Sequence, residues 1–245
     1  MLILCMVAPS AGLSNGLGLT PPMGFNPWNC FGVGSTGRCK LVNPALPDPG
    51  CHPFNESVII SIADALVATG LRDVGYEYVN LDCGWTTGFR NETSGELLVN
   101  RRKFPHGMRW LGDELHRRGL KYGIYLAASA HQCCSRVFPG ANDGSSGHEE
   151  ADARTIASFG VDYLKYDDCN QVNESYYLMR DALNRTGRPI FYSIHGPRGE
   201  VAVDLANAWR TTPDIDNTFS SFMDRAVAND AYTGVAGPGS FASAR

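Results

Sequence analysis

The chain has 245 residues, 43% of them apolar and 19% charged, which is the balance of an ordinary globular protein built as one large domain or two small ones. Its formal net charge of −4 supplies no basic field, which argues against a nucleic-acid partner. No uninterrupted apolar run reaches the roughly 18 residues of a membrane-spanning helix.

In chain order, Met1–Ala11 (MLILCMVAPSA) carries a short apolar core followed by small residues, and reads as a signal peptide despite its missing basic start. Pro22–Trp28 reads as a first strand with an aromatic end. A Gly/Pro/Cys-rich insertion follows, from Cys30 to about Pro53. Ser57–Leu71 has apolar residues at 59, 62, 63, 66 and 67, the spacing of a helix. Tyr76–Asp82 is a second strand. A loop containing KFPHG leads into a helix near Met108–Arg118, which Gly119 stops. Leu120–Ala128 alternates as a third strand, and a helix from about His148 to Phe159 is closed by Gly160. Val161–Asp167 is the fourth strand, Glu174–Asn184 a helix, and Pro189–His195 the fifth strand. A short helix near Glu200–Leu205, a sixth strand over Asn207–Thr212 and a helix over about Asn217–Asn229 complete the series.

Strands alternating with helices in this way predict a parallel β/α architecture. The strands lack the Gly-x-Gly-x-x-Gly turn of a dinucleotide fold and the Gly-x-x-x-x-Gly-Lys turn of a phosphate loop, which favours a barrel over a doubly wound sheet. Barrels gather their chemistry at the carboxyl ends of strands. Read there in order, the polar and aromatic residues are Trp28, Asp82, Tyr125, Lys165 with Asp167, and Arg210 with Asp214 just beyond. An aromatic face for a pyranose, carboxylates for its hydroxyls and a further carboxylate pair across a glycosidic bond make a sugar site. Asp82 or Asp167 taken alone reads equally well as a helix cap or a salt-bridge partner. Their convergence on one rim is the signal.

Other chemistries are not supported. His106, His131, His148 and His195 are isolated, without metal-ligand spacing, and no other cofactor signature is present. A Gly-x-Ser-x-Gly elbow is missing. Of eight cysteines, Cys5 would leave with the signal peptide, and the remaining odd number leaves one thiol unpaired. Asn55, Asn91, Asn173 and Asn184 head Asn-x-Ser/Thr sequons, which together with the cysteines points to the secretory route, ending outside the cell or in a lysosome or vacuole.

The stretches LTPPMGFNPWN, ADALVATGLRDVGYEYVNLDCGW, KFPHGM, GLKYGIY, GHEEADARTIASFGVDYLKYDDCN and WRTTPDID follow one another from about residue 19 to 217. In that order they resemble the α-galactosidases and α-N-acetylgalactosaminidases of glycoside hydrolase family 27, in clan D. The resemblance implies a (β/α)8 barrel as the catalytic domain over residues 19–245, and a retaining double displacement without a cofactor. Asp167 would be the nucleophile and Asp214 the general acid/base. Trp28, Asp82, Tyr125, Lys165 and Arg210 would hold the sugar. Lys165 beside Asp167 would keep the nucleophile ionised, whereas Asp214 must hold a proton at working pH. Retention sets the two carboxyls about 5–5.5 Å apart. The resemblance further implies disulfides Cys133–Cys169, Cys51–Cys83 and Cys30–Cys39, with Cys134 as the odd thiol, and it leaves room for a homodimer.

The sequence departs from that pattern in four places. Asp82 is followed by Cys83 where the family often has paired acids, and Ala127 stands where an aspartate is usual. Where the family commonly has the segment that reads the sugar's 2-position, this chain has His195-Gly196-Pro197, so the choice between galactose and N-acetylgalactosamine is not inherited. After Ala236–Gly239 the chain reads SFASAR in place of an NDPD segment, an eighth strand and a carboxyl-terminal β-sandwich. It therefore reads as an incomplete barrel of six strands and part of a seventh. Three functions stay open: an α-galactosidase, a galactose-binding remnant without turnover, and the same chemistry on an α-N-acetylgalactosaminide or a β-L-arabinopyranoside.

Overall fold

The computed structural model describes residue 13 and residues 15–28, 54–135, 138–169, 173–216 and 218–243. The signal peptide expected at 1–11 and Cys30, Cys39 and Cys51 lie outside the described residues, so the Cys30–Cys39 expectation does too.

Seven strands form one sheet: β1 (Met23–Phe25), β2 (Tyr76–Asn80), β5 (Lys121–Ala127), β6 (Tyr163–Asp167), β7 (Phe191–Ile194), β8 (Ala208–Arg210) and β9 (Phe241–Ser243). The intervening β3 (Thr86–Arg90) and β4 (Leu97–Val99) pair with each other in a separate antiparallel hairpin. In the main sheet the order is β1-β2-β5-β6-β7-β8-β9, and every neighbouring pair is parallel. Each strand is laid beside the previous one in a single direction, which is how a (β/α) barrel wall is built. The seventh strand exceeds the sequence expectation: Phe241–Ser243 pairs in full with Ala208–Arg210.

The helices are α1 (Glu56–Ala68), α2 (Met108–Arg117), α3 (Glu149–Ser158), α4 (Asn173–Arg185), α5 (Glu200–Val203) and α6 (Phe219–Asp230). Asn55 caps α1 by accepting from the Val58 N–H at 3.0 Å, and Ile59, Ala63 and Leu66 turn into the core. This helix stops before the expected Leu71 because Gly70 adopts a left-handed φ of 75° and a 3-10 turn over Arg72–Val74 takes over. Among the described residues no helix is long and apolar enough to cross a membrane. Of the sequon asparagines, Asn91 and Asn184 are exposed and Asn55 is half-buried at its cap.

Period-two alternation decides what each strand buries. Along β5 and β6, Tyr122, Ile124, Leu126, Leu164 and Tyr166 join the large apolar layer with the helices. Tyr125 and Ala127 belong instead to a small cluster with Cys83, Cys134 and Cys169 at the rim. Tyr78, Tyr163, Phe191 and Ala208 form a third cluster, with Tyr163 and Phe191 stacked at 5.0 Å. Burying one such aromatic contributes about 1.5–3 kcal/mol relative to leaving it in water.

The hairpin β3–β4 falls in what the sequence presents as a loop. It is anchored by Arg90, whose guanidinium pairs with Asp152 at 2.6 Å, the two side chains 3% and 1% exposed. Arg90 also donates to the carbonyls of Asn142, Gly95 and Gly144. A buried ion pair offsets its desolvation only when its remaining donors are satisfied, as they are here.

Candidate active site

The β6 sequence YLKYD places Lys165 and Asp167 on the face opposite Leu164 and Tyr166, toward the barrel axis. Asp167 ends the strand and is registered against Ala127 of β5, a side chain small enough to leave space before the carboxylate. Its Oδ2 accepts from the Tyr125 hydroxyl at 2.9 Å, and its Oδ1 lies 2.6 Å from His195 Nδ1. His195 follows β7 directly, and its backbone N–H bonds to Tyr166 O at 3.1 Å, so the sheet itself delivers the ring to Asp167. Burial pushes the Asp167 carboxyl up. The bond from His195, the charge of Lys165 and the Asp168 N–H outweigh it and hold the group well below the usual carboxylate range.

Asp82 follows β2 and is 2% exposed. Its Oδ2 accepts from Asn26 Nδ2 at 2.9 Å and from Lys165 Nζ at 2.8 Å, while its Oδ1 accepts from the Cys83 N–H at 2.8 Å. Lys165 acts on Asp167 as the sequence expects, as a nearby cation that favours the ionised carboxylate. Its ion pair is with Asp82, and Asp167 feels it as a nearby charge while the direct bond comes from His195. Lys165 Nζ also lies 5.2 Å from the Tyr125 ring centre and 5.9 Å from that of Trp28.

Arg210 ends β8 and is buried; its Nε donates to Thr212 O at 2.7 Å and its terminal nitrogen to Asp214 Oδ1 at 2.5 Å. Asp214, four positions beyond the strand, is 59% exposed, and α6 reaches back with Arg225 donating to its carbonyl at 3.3 Å.

One cavity of about 680 Å³ is lined by all seven side chains expected from the sequence, namely Trp28, Asp82, Tyr125, Lys165, Asp167, Arg210 and Asp214. It also takes in His195 and Arg198, which the sequence reading did not assign to the site. The signal for them was their position just past the fifth predicted strand, in the segment where the chain leaves the family pattern. A second cavity of about 440 Å³ shares Trp28, Lys165, Arg210 and Asp214 and reaches both edge strands, β1 and β9.

Two disulfides brace the rim. Cys133–Cys169 is as expected. The expected Cys51–Cys83 bridge is not formed: Cys83 is bonded to Cys134, with Cα atoms 6.1 Å apart, so Cys134 is not the odd thiol. The reason is strand order. β2 pairs with β5, which brings the residue after Asp82 against the loop that leaves β5. The adjacent Cys133 and Cys134 therefore clip one loop to both strands that carry Asp82 and Asp167. The sulfurs of Cys133 and Cys169 cluster with the Asp167 carboxylate, but being bonded to each other they are not thiolate ligands for a metal.

Comparison with known proteins agrees with this geometry. The family model for alpha galactosidase A (Melibiase_2) matches residues 20–244. The alpha-galactosidase of Coffea arabica is 44% identical over 222 residues, covering 87% of this chain and 52% of that protein. The alpha-galactosidase of Cyamopsis tetragonoloba is 42% identical over 233 residues, covering 92% of this chain and 51% of its own. The chain spans about half the length of the curated relatives it matches. Among solved structures, alpha-galactosidase I from Mortierella vinacea superposes with a TM-score of 0.77 at 32% identity, over 94% of this chain and 60% of that one. The Saccharomyces cerevisiae alpha-galactosidase solved with raffinose gives 0.73 at 30% identity, over 97% of this chain and 54% of that one. With the family model spanning nearly the whole sequence, the chain belongs to the alpha galactosidase A family.

Proposed function

We propose that the protein is a retaining glycoside hydrolase that removes terminal α-linked galactose, with Asp167 as nucleophile and Asp214 as general acid/base. The observation that carries this reading is the contrast between two carboxylates lining one cavity. Asp167 is 13% exposed and kept ionised by its neighbours, as a nucleophile requires, whereas Asp214 stands open to solvent, as a group that exchanges protons with a leaving aglycone and with water requires. In the first step an Asp167 oxygen bonds to the anomeric carbon while the glycosidic C–O bond breaks, and the Asp214 proton leaves on the aglycone oxygen. In the second step water attacks the same carbon, gives its proton to Asp214 and releases the Asp167 carboxylate. Trp28 offers an apolar face to the sugar ring, while Asp82 and Lys165 face its hydroxyls. For Asp214 to deliver its proton, its bond to Arg210 has to give way to one with the leaving oxygen. The secretory destination belongs to the same proposal, supported by the two rim disulfides.

Hydrolysis of p-nitrophenyl α-D-galactopyranoside and of raffinose tests it. The reading expects α-galactose as the first product by NMR, and at least a thousandfold loss of turnover in Asp167→Asn. Galactose binding by calorimetry with no turnover would replace it with the binding-remnant reading. Cleavage confined to an α-N-acetylgalactosaminide or a β-L-arabinopyranoside would move the same chemistry to another sugar.

A further inference from the structure

We infer that His195 is a positioning residue for Asp167, donating from Nδ1 to Oδ1 and thereby holding the carboxylate in its attacking orientation. The inference rests on the glycosidase reading for its kinetic consequence but not for its geometry. Each oxygen of Asp167 meets a side-chain donor, the Tyr125 hydroxyl on Oδ2 and His195 on Oδ1 at 2.6 Å. An ionised carboxylate only accepts, so the hydrogen of the 2.6 Å contact sits on Nδ1. Gripped from both sides, the carboxyl plane cannot rotate without breaking one of the two bonds.

The way the chain leaves β7 makes this placement possible. His195 N is tied to Tyr166 O in the sheet ladder, and Gly196 next to it passes so close to Tyr176 that a Cβ there would sit 2.3 Å from the ring. A side chain at 196 would push the turn outward and the imidazole with it. His195 is 25% exposed, so its bond to Asp167 is largely shielded from water.

During the reaction His195 transfers no proton. Asp214 carries the proton in both steps, and His195 keeps its hydrogen bond as the Asp167 charge is neutralised in the glycosyl ester and then restored. The charged and titratable groups that line the same cavity as the pair are Lys165 and Asp168 from β6 and its exit, Tyr125 from β5, Asp82 beyond β2, Arg210 and Asp214 from β8 and the turn after it, and Arg198 on the same loop. Tyr176 of α4 also lies within electrostatic reach of Asp167.

The test compares wild type, His195→Ala and His195→Asn, the last because its amide nitrogen can stand in for Nδ1. In His195→Ala, kcat should fall about a hundredfold with KM changed by less than about threefold, the signature of lost alignment. The acid limb of kcat/KM should move up by about one pH unit, since removing a donor to the ionised form makes Asp167 easier to protonate. His195→Asn should restore most of both. Asp167 should also titrate higher in His195→Ala when its carboxyl carbon is followed by NMR, a readout that needs no turnover. If His195→Ala leaves both the acid limb and the Asp167 titration where they are in wild type, the inference fails while the glycosidase reading stands. A wild-type chain without turnover defeats that reading, and the titration still decides the role of His195.

Discussion

Asp167 and Asp214 line the same cavity but are held in opposite ways. Asp167 ends a central strand of the sheet, has a donor on each oxygen, and stands two residues before a cysteine bonded to the neighbouring loop. Asp214 lies in the turn beyond β8, 59% exposed and facing Arg210, near α6, whose Phe219, Phe222 and Val227 are themselves exposed. The β5–β6–β7 side thus fixes a carboxylate, while the β8–α6 side leaves one accessible. A nucleophile gains from being fixed, because reorganisation during attack costs rate. A proton carrier gains from access to water and to the aglycone.

Breaking the fixed side should have the larger effects. Asp167→Asn should reduce turnover at least a thousandfold on every substrate, measured under saturating conditions. On the accessible side, Asp214→Ala should lower turnover about 10²–10⁴-fold on raffinose, whose leaving group needs a proton, and much less on p-nitrophenyl α-D-galactopyranoside, whose leaving group does not. Equal losses on the two substrates would contradict the assignment of Asp214 as acid. Stability should divide in the same direction. Replacing Cys83 and Cys134 together by alanine removes a crosslink closing 51 positions and should cost about 2–4 kcal/mol in chemical denaturation. Thr218→Ala removes the cap of α6, where Thr218 Oγ1 accepts from the Ser221 N–H at 3.2 Å, together with the exposed bond from that hydroxyl to Asp216 Oδ1, and should cost about 1 kcal/mol. A cap variant that cost as much as the disulfide pair would show that the α6 side is not the loosely held one.

The features legible in the sequence are those with a local period. YLKYD alternates, which puts Lys165 and Asp167 on one face, and the ends of β2, β5 and β8 follow from the same rule. Features decided by distant neighbours were not legible. Cys83 has no local cue for its partner, which follows from β2 lying beside β5. The hairpin β3–β4 is hidden because one strand contains Gly88 and the other has only three residues, and its anchor, Arg90, pairs 62 positions away with Asp152. β9 is three residues long, with no apolar run to mark it. His195 is an isolated histidine in sequence, and only the pairing of β6 with β7 sets it against a carboxylate 28 positions earlier.

The most direct measurement is to trap the glycosyl ester. Incubating the protein with an activated 2-deoxy-2,2-difluorogalactoside and mapping the adduct by peptide mass spectrometry should locate the sugar on Asp167, with loss of activity in step with labelling. A label on any other carboxylate, or steady hydrolysis of α-galactosides with no covalent adduct and inversion at the anomeric carbon, would contradict the account.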